Sequence, residues 1–284
     1  MNLLQRIAAY DRKLSKTENL LVEAVLAHYP QSLLESATAL ARTVGTSAST
    51  VVRLLAKLGY ESYAQAQTEA RAAVTARLAS PAERADAVAA DSLSARACLH
   101  QALLHDQHNL QATFAGLDPL QFESALRLLL QRKARLHVLG HRQAAPLAGY
   151  AALYLNLCRP GVRQFNTGGP QSLEDQLLWL DAHDVLLLFT FRRYSVTALK
   201  AAQAFRQAGG AVVLITDSAQ APAARWADAM LVAHCSSASP FDSYTAAMSL
   251  CNALLAAVAQ RSKQALGEAV ARGEALWNDQ WVRA

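Results

Sequence analysis

Five short apolar runs in the second half of the chain constrain its fold most. They lie at 135–140 (R-L-H-V-L-G), 161–165, 184–191 (D-V-L-L-L-F-T-F), 211–216 (A-V-V-L-I-T) and 229–233. Several are apolar nearly throughout, the mark of strands buried on both faces. Helical spacing fills the gaps at about 144–157, 173–180, 195–208 and 221–227, and a long apolar helix at 244–260 precedes a polar tail. Strands alternating with helices make a parallel sheet covered on both sides. The second half is therefore predicted to be a doubly wound α/β domain.

The first 78 residues read as helices only. Leu3, Leu4, Ile7 and Tyr10 recur at helical spacing. Ser15-Lys16-Thr17-Glu18 has the form of a capping box. It opens a helix whose apolar face is Leu21, Val22, Val25, Leu26 and Tyr29, closed by Pro30. Residues 37–59 then predict a helix, a tight turn and a second helix. Ala41 is small at the crossing, Gly45 is free to take positive φ in the turn, and Val51 faces inward. Leu40, Val44, Leu54, Leu55 and Leu58 complete the apolar contacts. This domain would be winged or bundle-like.

On the outer face of that second helix the chemistry differs. Ser47, Ser49 and Thr50 place short hydrogen-bonding groups at its N-terminal end, and Arg53 and Lys57 project from one side. A helix entering a major groove needs this layout, with small polar groups at base edges and cations at phosphates. Net charge agrees in a small way. The chain carries +5 overall, and residues 1–80 hold nine Lys/Arg against six Asp/Glu. A further helix is expected at about 63–78, and Ser80-Pro81-Ala82-Glu83 starts another. The expected division is a DNA-binding domain at 1–78, a helical linker at 79–120 and an α/β domain at 121–284.

With 52% apolar and 17% charged residues, a disordered chain is excluded. Cys98, Cys158, Cys235 and Cys251 are too scattered for a disulfide frame or a zinc site and suit a reducing, cytoplasmic setting. No signal-peptide core is read at the N-terminus, and the apolar stretch 246–259, interrupted by Ser249 and Asn252, is too short to span a bilayer. His100, His105 and His108 are spaced by five and three, which gives no one-face ligand set. Neither a metal nor a cofactor is expected.

Ligands of a doubly wound sheet bind at the C-terminal strand ends. That rule selects Gly140-His141-Arg142-Gln143, Asn166-Thr167-Gly168-Gly169, and the loop Thr190-Phe191-Arg192-Arg193-Tyr194-Ser195-Val196-Thr197, which runs into a helix N-terminus. Glycines, hydroxyls, arginine forks and a helix N-terminus all favour an anion. Arg142, Arg192 and Arg193 are expected to converge, with the inward one of the last two left open.

Both halves resemble one family. The phrase S-A-S-T-V-V-R-L-L-A-K-L-G-Y at 47–60, joined to D-V-L-L-L-F-T and G-G-A-V-V-L-I-T-D, resembles the RpiR/MurR bacterial transcription regulators, whose second half is a SIS (sugar isomerase) domain. The resemblance implies a regulator that dimerises through its SIS domain, as a homodimer or a dimer of dimers. It also implies binding to a two-fold operator and sensing of a phosphosugar or related metabolite. DNA-reading positions would fall on 47–58, and effector contacts on Gly140, His141, Arg142, Gln143, Thr190, Arg192, Arg193 and Ser195. One departure stands out. SIS sites typically show S-x-S-G-x-S/T in the third loop; here Thr190 replaces the first Ser, Arg192 the second and Arg193 the Gly, and only Ser195 matches. An organic acid is therefore as compatible as a sugar phosphate. The alternative is a SIS-type sugar-phosphate isomerase with a helical appendage. Such an enzyme needs a general base, and the ligand loops offer only His141. Glu174, Asp175 and Asp242 lie outside them, so no catalytic residues are expected.

Overall fold

A computed structural model describes residues 3–8, 10, 13–27, 31–78, 82, 94–131, 133–166 and 171–277. The chain divides into two compact units, 1–84 and 85–284.

The first unit contains α1 (Leu3–Ala8), α2 (Lys16–Ala27), α3 (Ala37–Val44), α4 (Ala48–Lys57) and α5 (Tyr63–Leu78), with one 3₁₀ turn at Gln31–Leu33. No strand occurs among its described residues, so it is a bundle and carries no wing there. Local signals explain its boundaries. Ser15 and Glu18 form the reciprocal capping box, with Ser15 N–H donating to Glu18 Oε2 (2.8 Å) and Glu18 N–H to Ser15 Oγ (3.3 Å). Gly45 ends α3 in the left-handed conformation at φ 69°, and Ser47 caps α4. One core joins Leu21, Val22 and Val25 to Leu40, Ala41, Val51, Leu54, Leu55 and Leu58. Leu26, expected on the buried face of α2, is exposed. Tyr29, Pro30, Ser80, Pro81 and Glu83 lie outside the described residues.

In the second unit a five-stranded parallel sheet has the order β2-β1-β3-β4-β5, with β1 Leu136–Gly140, β2 Val162–Gln164, β3 Val185–Phe189, β4 Ala211–Thr216 and β5 Ala229–Val232. Each of the five expected runs is a strand. Leu136, Val138, Val185, Leu187, Phe189, Val213, Ile215 and Leu231 face one way. They pack under α7 (Pro119–Leu129), α8 (Ala145–Cys158) and α11 (Thr245–Arg261). Leu139, Leu186, Leu188, Val212 and Leu214 face the other way, toward α10 (Val196–Gln207) and the short α9 (Leu173–Leu177). Because β1 feeds β2 on one side and β3 lies on the other, the switch point falls between β1 and β3.

Three elements differ from expectation. Residues 221–227 form only a 3₁₀ turn at Ala224–Trp226. The polar tail is instead helix α12 (Lys263–Trp277), packed on α8. Within it, Gly273 is buried and leaves room for the Trp277 ring one turn on. Finally, α6 (Ala95–Ala115), read from sequence as part of a linker, packs against α11 within the second unit.

Candidate functional site

Two places concentrate polar chemistry, one in each unit. In the second unit a cavity of about 260 Å³ opens at the C-terminal ends of β1 and β3. His141, Arg142, Gln143 and Ala144 line it from the first loop, and Thr190, Phe191, Arg193, Ser195, Val196 and Thr197 from the third. This is the topological switch point, where open α/β sheets bind ligands.

Gly140 is needed there for space and does not line the cavity. A Cβ at this position would lie 2.2 Å from Ala144 O, because the 3₁₀ turn Arg142–Ala144 folds back over the strand end. The turn sets Arg142 at φ 53°, and Arg193 sits at φ 56°. They are the two non-glycine residues with positive φ among those described. Left-handed backbone costs a side-chain-bearing residue about 1–2 kcal/mol. Ser195 caps α10, accepting from Ala198 N–H at 3.4 Å, so the first turn of that helix, with Val196 and Thr197, opens on the cavity. The arrangement offers two guanidinium groups, hydroxyls and a helix N-terminus to a bound anion. Among the lining residues there is no carboxylate.

The three arginines do not all converge. Arg193 lines the cavity, while Arg192 turns away to Asp242. Its Nε donates to Asp242 Oδ1 at 2.5 Å, and Nη2 donates to the same oxygen. Both side chains of the pair are largely buried, and the Asp242 carboxylate holds the Arg192 guanidinium charged, above its usual range, against the cost of burial. The role of Asp242 was not visible in the sequence, since it comes from a loop fifty residues away with no motif of its own. Of the second expected loop, Asn166 exchanges hydrogen bonds with Gln176, and Thr167, Gly168 and Gly169 lie outside the described residues.

In the first unit, α4 presents the expected outer face. Ser47 Oγ accepts from Thr50 N–H and lies 2.8 Å from Ser49 Oγ and 2.9 Å from Thr50 Oγ1. Ser47, Ser49 and Arg53 are exposed, Thr50 is half-buried, and Val52 adds an exposed apolar group. Lys57 differs. Its Nζ donates to Glu18 Oε1 at 2.6 Å and ties α4 to the start of α2. That hydrogen bond, with those from Ser15, holds the Glu18 carboxyl down at about 2. Lys57 is thus first a structural cation. The three histidines of α6 form no metal cluster: none occurs among the described residues, and His105 Nδ1 lies 3.2 Å from Ser236 Oγ.

Residues 1–79 match the family described as helix-turn-helix domain, rpiR family, and residues 128–257 match the SIS domain. The chain belongs to the RpiR family. Solved structures agree in fold. The sugar isomerase domain of an RpiR transcription factor from Sphaerobacter thermophilus is 24% identical, covers 62% of this chain and 97% of its own, and superposes with a TM-score of 0.59. NanR of Vibrio vulnificus, complexed with ManNAc-6P, is 17% identical over 99% of this chain and 100% of its own, with a TM-score of 0.57. A putative sugar-phosphate isomerase from Listeria monocytogenes is 14% identical over 60% of this chain and 93% of its own, with a TM-score of 0.50. No curated protein matches the chain. As in other members of the RpiR family, a DNA-binding helix-turn-helix for transcription regulation precedes the SIS domain, and no described helix is long and apolar enough to cross a membrane.

Proposed function

We propose that this RpiR-family chain is a cytoplasmic, dimeric regulator that binds two-fold operator DNA through Ser47, Ser49, Thr50 and Arg53. In this reading its operator affinity changes when a small anionic metabolite, a sugar phosphate or an organic acid, enters the cavity between β1 and β3. The observation that carries the reading is the cavity lining: Arg142, Arg193 and the N-terminus of α10 without a single carboxylate. Such a lining suits an anion and leaves an aldose–ketose isomerase without the acidic base it would use, His141 being the remaining candidate. The complex of NanR with ManNAc-6P makes sugar phosphates the first ligands to try.

The test uses the full chain and fragments of its own genome. Selection should enrich inverted repeats with half-sites one or two helical turns apart. Added sugar phosphates or di- and tricarboxylates should then shift the binding curve at least fivefold. Failure to enrich any sequence, with steady turnover of a sugar phosphate instead, would favour the isomerase.

A further inference from the structure

One face of α6 is fastened along the loop that joins β5 to α11. Thr113 Oγ1 accepts from His234 N–H at 2.9 Å. Asn109 pairs with Ser236 in both directions, accepting its N–H at 3.1 Å and donating to its carbonyl at 2.7 Å. Asp106 accepts from Ser243 Oγ and, at 2.8 Å, from Thr245 Oγ1 at the start of α11. Residues 105, 109 and 113 are four apart, so they share one side of the helix. Asn109 and Thr113 are fully buried. The primary amide of Asn109 gives the loop the donor–acceptor pair that a neighbouring strand would have given. Ser243 N–H closes the loop on Cys235 O at 3.2 Å, so 235–243 is held as a unit.

The same loop ends in Asp242, which grips Arg192, and Arg192 is covalently next to Arg193 in the cavity wall. A line of backbone steps and side-chain hydrogen bonds therefore runs from the cavity to α6: Arg193 to Arg192 along the chain, Arg192 to Asp242, Asp242 to Ser243 along the chain, and Ser243 to Asp106. By sequence, α6 is the described helix through which the chain enters the second unit.

We propose that the 234–243 loop is a relay, in which Asp242 positions the cavity loop through Arg192 while Asp106 and Asn109 pass its position to α6. The proposal rests on the cavity being the effector site. The relay requires two arrangements to pass on. In one, Arg192 stays on Asp242. In the other, an anion held by Arg193 shifts the 190–195 turn and, along the backbone, pulls Arg192 away from Asp242. Contact networks carry coupling only where such a two-state element exists.

Hydrogen exchange of the full chain, read by mass spectrometry, tests the relay without knowledge of the effector. Variants Asp242→Asn, Asp242→Glu and Asp106→Asn are compared with the parent at equal melting temperature, which separates local from global loosening. Asp242→Asn should speed exchange at least fivefold both in 190–196 and in 95–115, leaving β4 unchanged, and Asp242→Glu should restore most of the protection. Asp106→Asn should loosen the same two segments from the opposite end. Loosening by Asp242→Asn that stops within 234–243, with α6 at parent rates, overturns the proposal. Inorganic phosphate as a probe separates the two readings. Phosphate that protects 190–196 but never alters α6 in the parent also overturns the relay. Phosphate without effect on 190–196 in any variant counts against the effector site, and the substitutions still decide the physical link.

Discussion

At the residue scale the informative position is Arg193. A glycine belongs by family resemblance at this point of the loop, and the backbone keeps the glycine-like φ of 56° under an arginine. Two effects then compete on reversion. Glycine relieves about 1–2 kcal/mol of left-handed strain but loosens the unfolded chain by about 0.4–1 kcal/mol. Arg193→Gly should therefore stabilise the second unit by about 0.5 kcal/mol while weakening anion binding at least tenfold. Urea melts and calorimetry read the two effects separately. Gly140 behaves oppositely. Gly140→Ala drives a methyl into Ala144 O and should cost about 2–3 kcal/mol, as overpacking of a tight core does. In the first unit, Glu18 titrates at about 2 instead of 4.5 because Lys57 and Ser15 hydrogen-bond its charged form. A carboxyl lowered on folding stabilises above its unfolded value and loses that contribution as pH falls from about 4.5 toward 2. Because Lys57 is half-exposed, the ion pair is worth roughly 1 kcal/mol. Glu18→Gln should remove that amount at pH 7 and flatten the acid limb of the first unit's melting curve.

At the element scale, α4 and β1 carry the next expectations. On α4, Arg53 is exposed and Lys57 is tied to Glu18. Arg53→Ala should reduce the slope of log K against log salt by about 1, and Lys57→Ala should change it less while lowering thermal stability more. On β1, His137 is buried between Phe165 and Phe205, and both of its ring nitrogens lack a hydrogen-bond partner. Burial lowers its pKa, and the opposing pull of Asp184, 3.7 Å away, does not offset that. A histidine kept neutral in the fold takes up a proton more readily once unfolded, so stability falls as pH drops below about 6.5. His137→Phe should abolish that part of the pH dependence, seen as a flatter urea midpoint between pH 7 and 5. The elements themselves were largely legible. Strands such as Val185–Phe189 announce themselves because burial on both faces demands an unbroken apolar run. Helix α12 escaped the sequence reading because Gly273, with no side chain to mark an apolar face, is its one buried position among the described residues, and the capping residues that fix α4 were visible because they act within four residues.

For the whole molecule, the helix-turn-helix and SIS pairing was legible from local phrases, since each fold writes its constraints into short spacings. The strand-end rule narrowed the cavity to three loops, and the observed strand order places it between two of them. Its wiring was not legible. Arg192 and Arg193 are neighbours of identical chemistry, and only Asp242, brought in from another loop, decides that one is a tether while the other lines the cavity. The attachment of α6 was hidden for the same reason: Asp106, Asn109 and Thr113 read as an ordinary polar face until the loop at 234–243 lies against them. The central claim, an anion sensor built around Arg193, is tested most directly by a thermal-shift titration of the full chain with sugar phosphates and small carboxylates. Parent, Arg193→Ala and Arg192→Ala are measured side by side. A ligand-induced rise in melting temperature that Arg193→Ala abolishes and Arg192→Ala retains is the predicted result. A rise that survives Arg193→Ala, or that only Arg192→Ala removes, would contradict the account.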